Sequence, residues 1–496
     1  MTSDLLLDQL AAEFQGARVG LVAHQASIDA RGRHTADVLE PTRLFGPEHG
    51  FFGWGAAGEK VLDAEHPWLG VPVASLYGEN RKPSAEQLKD LDVIVVDLQD
   101  LGFRCYTFVS TLFLVMQAAA ECDVPVVVFD RPVPLPGVFD GPRLKSGFEN
   151  FVAQVDVPMS YGLTPGETAR WIVSQGLAVG LDVMMLDPGA FEVRIPPSPA
   201  IRSTMTCWTY LATVFAEACA GFDVDRHGPI PFQTISSAWF EPGAIPDLPG
   251  AELHNHTNPS LHPGLRIHVT DTALWRPVEA SVRILAALPP ERVWENAKED
   301  FFDKLYGTDE VRLALKDGDS ADAIIERWQP GLVAFEEETF GLRSLYAMPF
   351  SGRSQNLFGK AGLLTVDDLL AETPASLSRL RTPGVNKVLG EVEARFAEFG
   401  IEWPTQQGRK KEVKAKAVVA EERAAADEQV EGEHLGEQPS EEGSSWAEEA
   451  LLSAQETADI DRELTGIDPE ALAEMRELLG ESFGQENGGE NGEEEE

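Results

Sequence analysis

Polar and titratable side chains follow five apolar segments in the N-terminal third of the chain, each at the point where the segment ends. Carboxylates and histidine in such positions can move protons, and arginine, tyrosine and glutamine can hold a polar ligand. Any one of these residues could instead cap a helix or close a turn, but five groups together predict a site. The groups are His24-Gln25, Gly46-Pro47-Glu48-His49-Gly50, Tyr77-Gly78, Asp97-Leu98-Gln99-Asp100 and Asp130-Arg131-Pro132.

The apolar segments before these groups have the pattern of buried parallel strands. Val93–Leu98 and Val124–Asp130 are nearly continuous hydrophobic runs, as expected for strands that are covered on both faces. Helical segments at 84–90 and 107–121 lie between strands, and this alternation predicts a doubly wound sheet. Ligands of such sheets bind beyond the carboxyl ends of the strands, so the five groups should meet at one edge. The other predicted strands are Arg18–His24, Arg43–Phe45 and Val71–Tyr77.

Composition excludes several other classes of protein. The chain has 496 residues, too many for one ordinary domain, and 43 % of them are hydrophobic, enough to build cores. No apolar run reaches the roughly 18–20 residues that a membrane span needs. A net charge of −42 argues against a protein that grips nucleic acid with its whole surface. No Gly-x-Gly-x-x-Gly motif follows the first strand, so a dinucleotide cofactor has little support.

The cysteines and histidines predict neither a disulfide framework nor a metal site. The four cysteines are scattered and none belongs to a Cys-x-x-Cys pair. Histidines cluster between His254 and His268, but no carboxylate stands at a helpful spacing, which favours an exposed loop. We therefore expect no metal and no cofactor. The N-terminus lacks the basic and apolar regions of a signal peptide, so a cytoplasmic location is expected.

An ordered series of motifs between about residues 15 and 347 resembles the family catalogued as domain of unknown function 1343. Its characterised members are exo-β-N-acetylmuramidases, which remove terminal N-acetylmuramic acid from peptidoglycan fragments. The resemblance implies a Rossmann-like domain, then a smaller α/β domain, with the active site in the cleft between them. The motifs include RLFGPEHGFFG, GVPVASLYG, KPSAEQL, DVIVVDLQDLGFRCYTFVSTL, FDRPVPLPG and YGLTPGETA.

The resemblance implies catalytic roles for some of the strand-end residues. Glycoside hydrolysis needs an acid that protonates the leaving oxygen and a second group that stabilises or captures an oxocarbenium-like centre. Glu48 is the expected acid, with a pKa that partial burial would raise toward neutrality. His49 is expected to tune Glu48 or to hold the substrate. Asp97, Asp100 and Asp130 are candidates for the second group, and we assign Asp130 to catalysis.

The implied substrate carries a lactyl carboxylate, which an arginine can bind through two parallel hydrogen bonds. Aromatic side chains can stack on the sugar or donate hydrogen bonds to it, and Trp54 lies in a glycine-rich loop where its ring should be exposed. The predicted substrate-binding residues are His24, Gln25, Trp54, Tyr77, Asp100, Arg104, Tyr106, Arg131 and Arg226.

Three departures from the family pattern leave a second function open. Val133 stands where the family has asparagine, Tyr161 stands where it has histidine, and residues 218–232 replace a segment that faces the substrate. The activity could be retained on a changed substrate, compensated by Asp223, Asp225 and His227, or lost. The alternative is a catalytically inactive hydrolase-like protein that acts as an interaction scaffold through its C-terminal module and acidic tail.

We predict four regions in this α/β protein. These are a Rossmann-like catalytic domain with a parallel sheet at 1–158, a second α/β domain that closes the cleft at 159–349, a small all-α module at 350–404 and a disordered acidic tail at 405–496. The module, with three or four short helices, resembles the helix-hairpin-helix-like C-terminal domain of the bacterial RNA polymerase α subunit. Residues 408–496 carry nearly half of the net charge. The expected partner is a small carbohydrate, with no membrane and no nucleic acid, and a protein partner, if there is one, should bind 350–496.

Overall fold

The computed structural model of the chain describes residues 3–185, 190–348, 350–379, 384–398, 401 and 403. The acidic tail predicted at 405–496 lies outside these residues. The described part is a mixed α/β protein with a large, mostly parallel sheet and a smaller antiparallel sheet. This confirms the predicted fold class. Within the described residues, no helix has the length and apolar content needed to cross a membrane.

The strands of the large sheet agree with the apolar segments of the sequence. They are β1 (Val19–Ala23), β2 (Arg43–Gly46), β3 (Ala64–Glu65), β4 (Pro72–Ser75), β5 (Val93–Asp97), β6 (Val126–Asp130) and β7 (Leu181–Met185). In the described residues their spatial order is β3-β4-β2-β1-β5-β6-β7, and every pair except β3 with β4 is parallel. β1, β5 and β6 are buried along their whole length. Helices cover both of their faces, which explains their near-continuous runs of valine and leucine.

The sheet continues past residue 158, where we predicted that the first domain ends. The helix α5 (Pro165–Ser174) connects β6 to β7, and β7 extends the sheet by pairing with β6. β7 is an edge strand in which only Val183 is fully buried. Asp182 interrupts its apolar residues, and the sequence analysis did not predict this strand.

Alternate residues of the strands face two separate cores. Leu21 and Val95 pack under the helices α1 (Ser3–Glu13) and α2 (Thr35–Leu39). Val22 and Val96 point to the opposite face, toward α4 (Phe108–Glu121) and α5. The short helix α3 (Ala85–Leu88) and helix α5 each begin with a capping box, at Ser84 and Thr164.

The chain from residue 204 to 339 combines a small sheet with helices. The strands β8 (Thr234–Ser236), β9 (Ala251–Thr257) and β10 (Pro263–Val269) form an antiparallel sheet in the order β8-β10-β9. Its buried side chains share one core with the α4 face of the large sheet. The helices are α6 (Thr204–Thr213), α7 (Pro277–Ala286), α8 (Pro290–Val293), α9 (Glu299–Tyr306), α10 (Glu310–Asp317) and α11 (Ala321–Thr339), and 3₁₀ turns lie at Val214–Glu217, Pro242–Ala244 and Phe340–Leu342.

Short helices with a separate core follow, as predicted for the C-terminal module. They are α12 (Gly352–Ala361), α13 (Val366–Ala371), α14 (Pro374–Ser378) and α15 (Val385–Glu398). Thr365 and Thr373 cap α13 and α14. The chain just before the module is tied to α5, because Glu167 Oε1 accepts hydrogen bonds from Ser344 N (2.6 Å) and Arg343 Nε (3.1 Å). The division into four regions remains a prediction.

Candidate active site

The carboxyl ends of β1 and β5 lie side by side where the strand order reverses. Ligands of open α/β sheets bind at this point. Here the segment 190–199 reaches over it, and the Gln25 side-chain amide donates a hydrogen bond to the Pro196 carbonyl (2.8 Å). Gln99, Arg131 and Arg194 help to line a hollow next to this segment. A polar ligand at the strand ends must therefore bind beside this segment.

His24 is fully buried near this segment and supports the fold. Its Nε2 atom accepts a hydrogen bond from the backbone N–H of Gln99 (3.0 Å), and its ring meets the edge of Phe108. Burial lowers the pKa of His24 to about 3, so the ring is neutral. The structure does not support the predicted substrate-binding role of His24, because no part of its side chain reaches the surface.

Gln25 joins two loops rather than presenting an open amide. Besides its bond to Pro196, its side chain lies so close to Gly53 that a Cβ atom there would collide with it. Gly53 also has a φ of +71°, which favours glycine. Gln25 was predicted to bind substrate, but its amide nitrogen instead donates to the backbone of the 190–199 segment.

Glu48 follows β2 in a loop that fixes its carboxylate while leaving it partly exposed. Thr107 Oγ1 donates a hydrogen bond to Glu48 Oε2 at 2.6 Å. Thr107 occupies the N-cap position of α4, but its side chain makes no capping bond there. His49 holds the loop, since its φ is +67° and its ring Nδ1 bonds to the Gly55 carbonyl at 2.9 Å. The catalytic role of His49 remains a prediction.

Tyr77 and Arg81 lie beside Glu48, beyond the end of β4. The Arg81 guanidinium carbon is 3.7 Å from the centre of the Tyr77 ring and 4.4 Å from that of Phe151. Burial raises the pKa of Tyr77, the charge of Glu48 raises it further, and the charge of Arg81 lowers it. Tyr77 therefore stays protonated and can donate a hydrogen bond.

Two more buried tyrosines, Tyr106 and Tyr210, lie close to Glu48. Burial chiefly raises the pKa of each, and the charge of Glu48 adds to the shift of both. The charges of Glu217 and Arg226 also act on Tyr210. Glu217 Oε1 and Arg226 Nη1 are 3.3 Å apart, and their side chains are 15 % and 20 % exposed. The region around these tyrosines thus contains two carboxylates that keep some contact with solvent.

Two of the three predicted arginines are buried and bound to protein groups. Arg131 binds Asp97 through Nε–Oδ1 (2.5 Å) and Nη2–Oδ2 (3.0 Å), and its Nη1 donates to the Ile28 carbonyl (2.9 Å). Arg104 is fully buried. The structure does not support a substrate-binding role for either residue, because both side chains are buried and bound to groups inside the protein. The carbonyls bound by Arg104 are those of Pro142 (2.9 Å), Val157 (2.6 Å) and Tyr306 (2.5 Å).

The remaining strand-end aspartates are also buried in the scaffold. Asp130 accepts a hydrogen bond from Gly166 N (2.8 Å) in the first turn of α5. Asp100 accepts one from the Tyr161 hydroxyl (2.5 Å). Burial raises the pKa of each aspartate to about 6. The structure does not support the predicted catalytic role of Asp130 or the predicted binding role of Asp100, because neither carboxylate is accessible to a sugar.

Trp54 has the exposed ring that the sequence predicted. Its side chain is 80 % exposed, and its ring stacks on Phe52 with centres 4.8 Å apart. Trp68, which is 85 % exposed, presents a second indole ring to solvent in the same part of the sequence. Sugar stacking on Trp54 remains a prediction.

Two carboxylates in the altered 218–232 segment accept hydrogen bonds from protein groups. Asp223 Oδ2 accepts a hydrogen bond from Asn258 Nδ2 (2.7 Å), and Asp225 Oδ2 accepts one from Ile230 N (2.8 Å). These contacts do not support compensation by Asp223 or Asp225 at the site. In the described residues, no group of three or more His, Cys, Asp or Glu side chains is arranged to hold a metal ion.

Sequence reasoning missed Thr107, Arg81 and Glu217. Its catalytic candidates all followed strands directly, whereas Arg81 lies in a loop further along the chain and Thr107 at the start of a helix. A signal for Arg81 was its place immediately before the KPSAEQL motif. Glu217 directly precedes residues 218–232, the segment that departs from the family pattern.

Two family models match the chain one after the other. The first, described as the N-terminal part of the exo-β-N-acetylmuramidase NamZ, matches residues 19–203. The second, described as its C-terminal part, matches residues 208–342. Together they span more than half of the chain. The chain belongs to the NamZ exo-β-N-acetylmuramidase family. The predicted family resemblance is confirmed.

Individual relatives agree with this assignment. The peptidoglycan β-N-acetylmuramidase NamZ of Bacillus subtilis (strain 168) is 29 % identical over 369 residues, which cover 67 % of this chain and 88 % of that protein. The crystal structure of a DUF1343 family protein from Bacteroides fragilis NCTC 9343 has a TM-score of 0.61 and 26 % identity, covering 68 % of this chain and 97 % of that one. A second such protein from B. fragilis shares the fold, with a TM-score of 0.54, 23 % identity and coverage of 67 % and 95 %. Family membership indicates a muramidase-like glycoside hydrolase.

Proposed function

We propose that this NamZ-family chain releases terminal N-acetylmuramic acid from peptidoglycan fragments, with Glu48 as the general acid. The Glu48 carboxylate carries the proposal. It is partly exposed, it accepts a 2.6 Å hydrogen bond from Thr107, and it lies in a loop that His49 anchors. A general acid needs both a fixed position and access to the substrate. The buried strand-end aspartates lack the second property.

In the proposed reaction, Glu48 gives its proton to the glycosidic oxygen while the bond between that oxygen and the sugar C1 breaks. The bonding electrons remain on the leaving oxygen, and positive charge develops on the sugar ring. A water molecule later adds to C1 and loses a proton. That proton replaces the one that Glu48 gave up, so Glu48 and the second carboxylate return to their starting protonation states. The protonated Tyr77 interacts with Glu48 through its hydroxyl and can donate a hydrogen bond in this region.

Glu217 is our candidate for the second carboxylate. It is 15 % exposed, and its Arg226 partner, 3.3 Å away, favours the ionised form that a base or nucleophile needs. The charges of Glu217 and Glu48 both act on Tyr210. The proposed site therefore uses residues from both sides of the predicted domain boundary at residue 158. A cytoplasmic location and a role in cell-wall recycling remain part of the proposal.

The proposed function is tested with a chromogenic β-glycoside of N-acetylmuramic acid. The wild type should release the chromophore, and Glu48→Gln should lower kcat by about 10²–10⁴-fold, the usual contribution of a general acid. Glu86→Gln is the matched control, because Glu86 is exposed on α3 and pairs with Lys89. Equal rates for Glu48→Gln and wild type, on this glycoside and on a disaccharide whose leaving group needs protonation, would contradict the role of Glu48.

The leaving group sharpens this test. A sugar leaving group needs protonation more than a nitrophenolate does, so the loss in Glu48→Gln should be larger with a muramic-acid-terminated disaccharide. If the wild type releases nothing from muramic or hexosamine glycosides at high enzyme concentration, the scaffold alternative is favoured instead.

A further inference from the structure

Arg81 places a cation with an unused donor beside the proposed acid. Its Nη1 atom is buried, and within the described residues it has no hydrogen-bond acceptor. A buried donor without an acceptor is unfavourable for folding. A ligand that supplies the acceptor would remove this cost.

The two aromatic neighbours orient the Arg81 side chain. Its guanidinium carbon lies over the Tyr77 ring at 3.7 Å and over the Phe151 ring at 4.4 Å. Contacts with ring faces use the plane of the guanidinium, and the unpartnered Nη1 lies at its edge, where it can meet an acceptor. A planar carboxylate fits such an edge because it can take two parallel hydrogen bonds.

Arg81 is placed where it can bind an anionic substituent of a sugar that is cleaved at Glu48. Tyr77 lies next to both residues, since the charges of both act on its hydroxyl. The other arginines considered for this role are engaged: Arg104 by backbone carbonyls, Arg131 by Asp97 and Arg226 by Glu217.

We infer that Arg81 binds the lactyl carboxylate of the terminal N-acetylmuramic acid and so makes the site select this sugar over its neutral counterparts. This inference rests on the proposed function and adds the residue that recognises the substrate. Binding at Arg81 would place an acceptor on the buried Nη1 donor and would anchor the sugar beside Glu48.

The test compares two chromogenic substrates that differ in one group. One is the N-acetylmuramic acid β-glycoside, and the other carries a primary amide in place of the lactyl carboxylate. The wild type should prefer the carboxylate in kcat/KM, and Arg81→Gln should reduce that preference by about 10–100-fold, the range for a hydrogen bond to a charged group. The ratio of the two substrates cancels any general loss caused by the altered Tyr77 contact.

Two further variants control for charge and for neighbouring structure. Lys82→Gln removes a charge at the next position, where Lys82 pairs with Glu121 at 2.9 Å, and it should keep the wild-type preference. Arg81→Lys keeps the charge but loses the planar fork, so its preference should be intermediate. An Arg81→Gln protein that is folded by circular dichroism and retains the full wild-type preference would overturn the inference.

The same variants separate this inference from the proposed function. If the wild type hydrolyses neither substrate, the proposed function fails, and calorimetric titration with free N-acetylmuramic acid and N-acetylglucosamine then tests Arg81. Tighter binding of N-acetylmuramic acid by the wild type, lost in Arg81→Gln, supports the inference. Equal binding of the two sugars by the wild type, or an unchanged difference in Arg81→Gln, overturns it.

Discussion

Asp100 should make the protein less stable at neutral pH than a neutral side chain would. Burial raises the pKa of Asp100 from 3.8 to about 6, although the Tyr161 hydroxyl (2.5 Å) and Leu101 N (2.7 Å) stabilise the carboxylate. In the unfolded chain the pKa returns to its ordinary value. The difference of about 2 pKa units corresponds to about 3 kcal/mol.

The sign of this effect follows from proton binding. The folded protein holds the Asp100 proton more tightly than the unfolded chain does, so its stability falls as the pH rises from about 3.8 through about 6. Above this window the full penalty is present, and below it the penalty is absent.

The measurement is urea unfolding of the wild type and Asp100→Asn at two pH values. Asn removes the ionisation while keeping an oxygen that can accept from Tyr161. The free energy of unfolding of the variant minus that of the wild type should increase by about 2 kcal/mol between about pH 4.5 and about pH 8. Asp90→Asn, at an aspartate whose side chain is 74 % exposed, is the control and should show little change. A constant difference for Asp100→Asn would refute the reasoning.

Three other substitutions test the assignments. Thr107→Val should lower kcat/KM by about 10-fold, because it removes the hydrogen bond that positions Glu48, whereas Thr107→Ser should retain activity. Equal activity of the Val and Ser variants would contradict a positioning role. Arg104→Leu should lower the free energy of unfolding, measured in urea, by about 3 kcal/mol or more, because three buried carbonyls lose their donor. Its KM should be unchanged. A higher KM without a loss of stability would restore the predicted substrate role. Glu217→Gln should lower kcat even on a nitrophenyl glycoside, since this carboxylate acts on the sugar ring, and a wild-type rate would exclude it as the second group.

Burial explains which parts of the fold could be predicted from the sequence. β1, β5 and β6 are covered on both faces, so their apolar runs mark them clearly. The edge strand β7 is only half-buried, and Asp182 interrupts its apolar residues. The helices α13 and α14 were predictable because Thr365 and Thr373 supply local capping signals that do not depend on distant contacts.

The site was harder to predict because long-range contacts decide what each strand-end residue does. Glu48 could be singled out from its loop, but Asp130 has the same kind of position and serves α5 instead. Arg104 was predicted to bind substrate, but it donates to the carbonyl of Tyr306, a residue about 200 positions later in the sequence. The role inferred for Arg81 depends on stacking against Phe151, which lies 70 positions later in the sequence.

The most direct test of the central claim is a crystal structure of the protein with N-acetylmuramic acid bound. The account predicts that the oxygen on the sugar C1 lies within about 3 Å of the Glu48 carboxylate, the reach of a general acid, and that the lactyl carboxylate meets Arg81. A sugar bound instead in the hollow lined by Arg131 and Arg194, with no contact to Glu48, would contradict it.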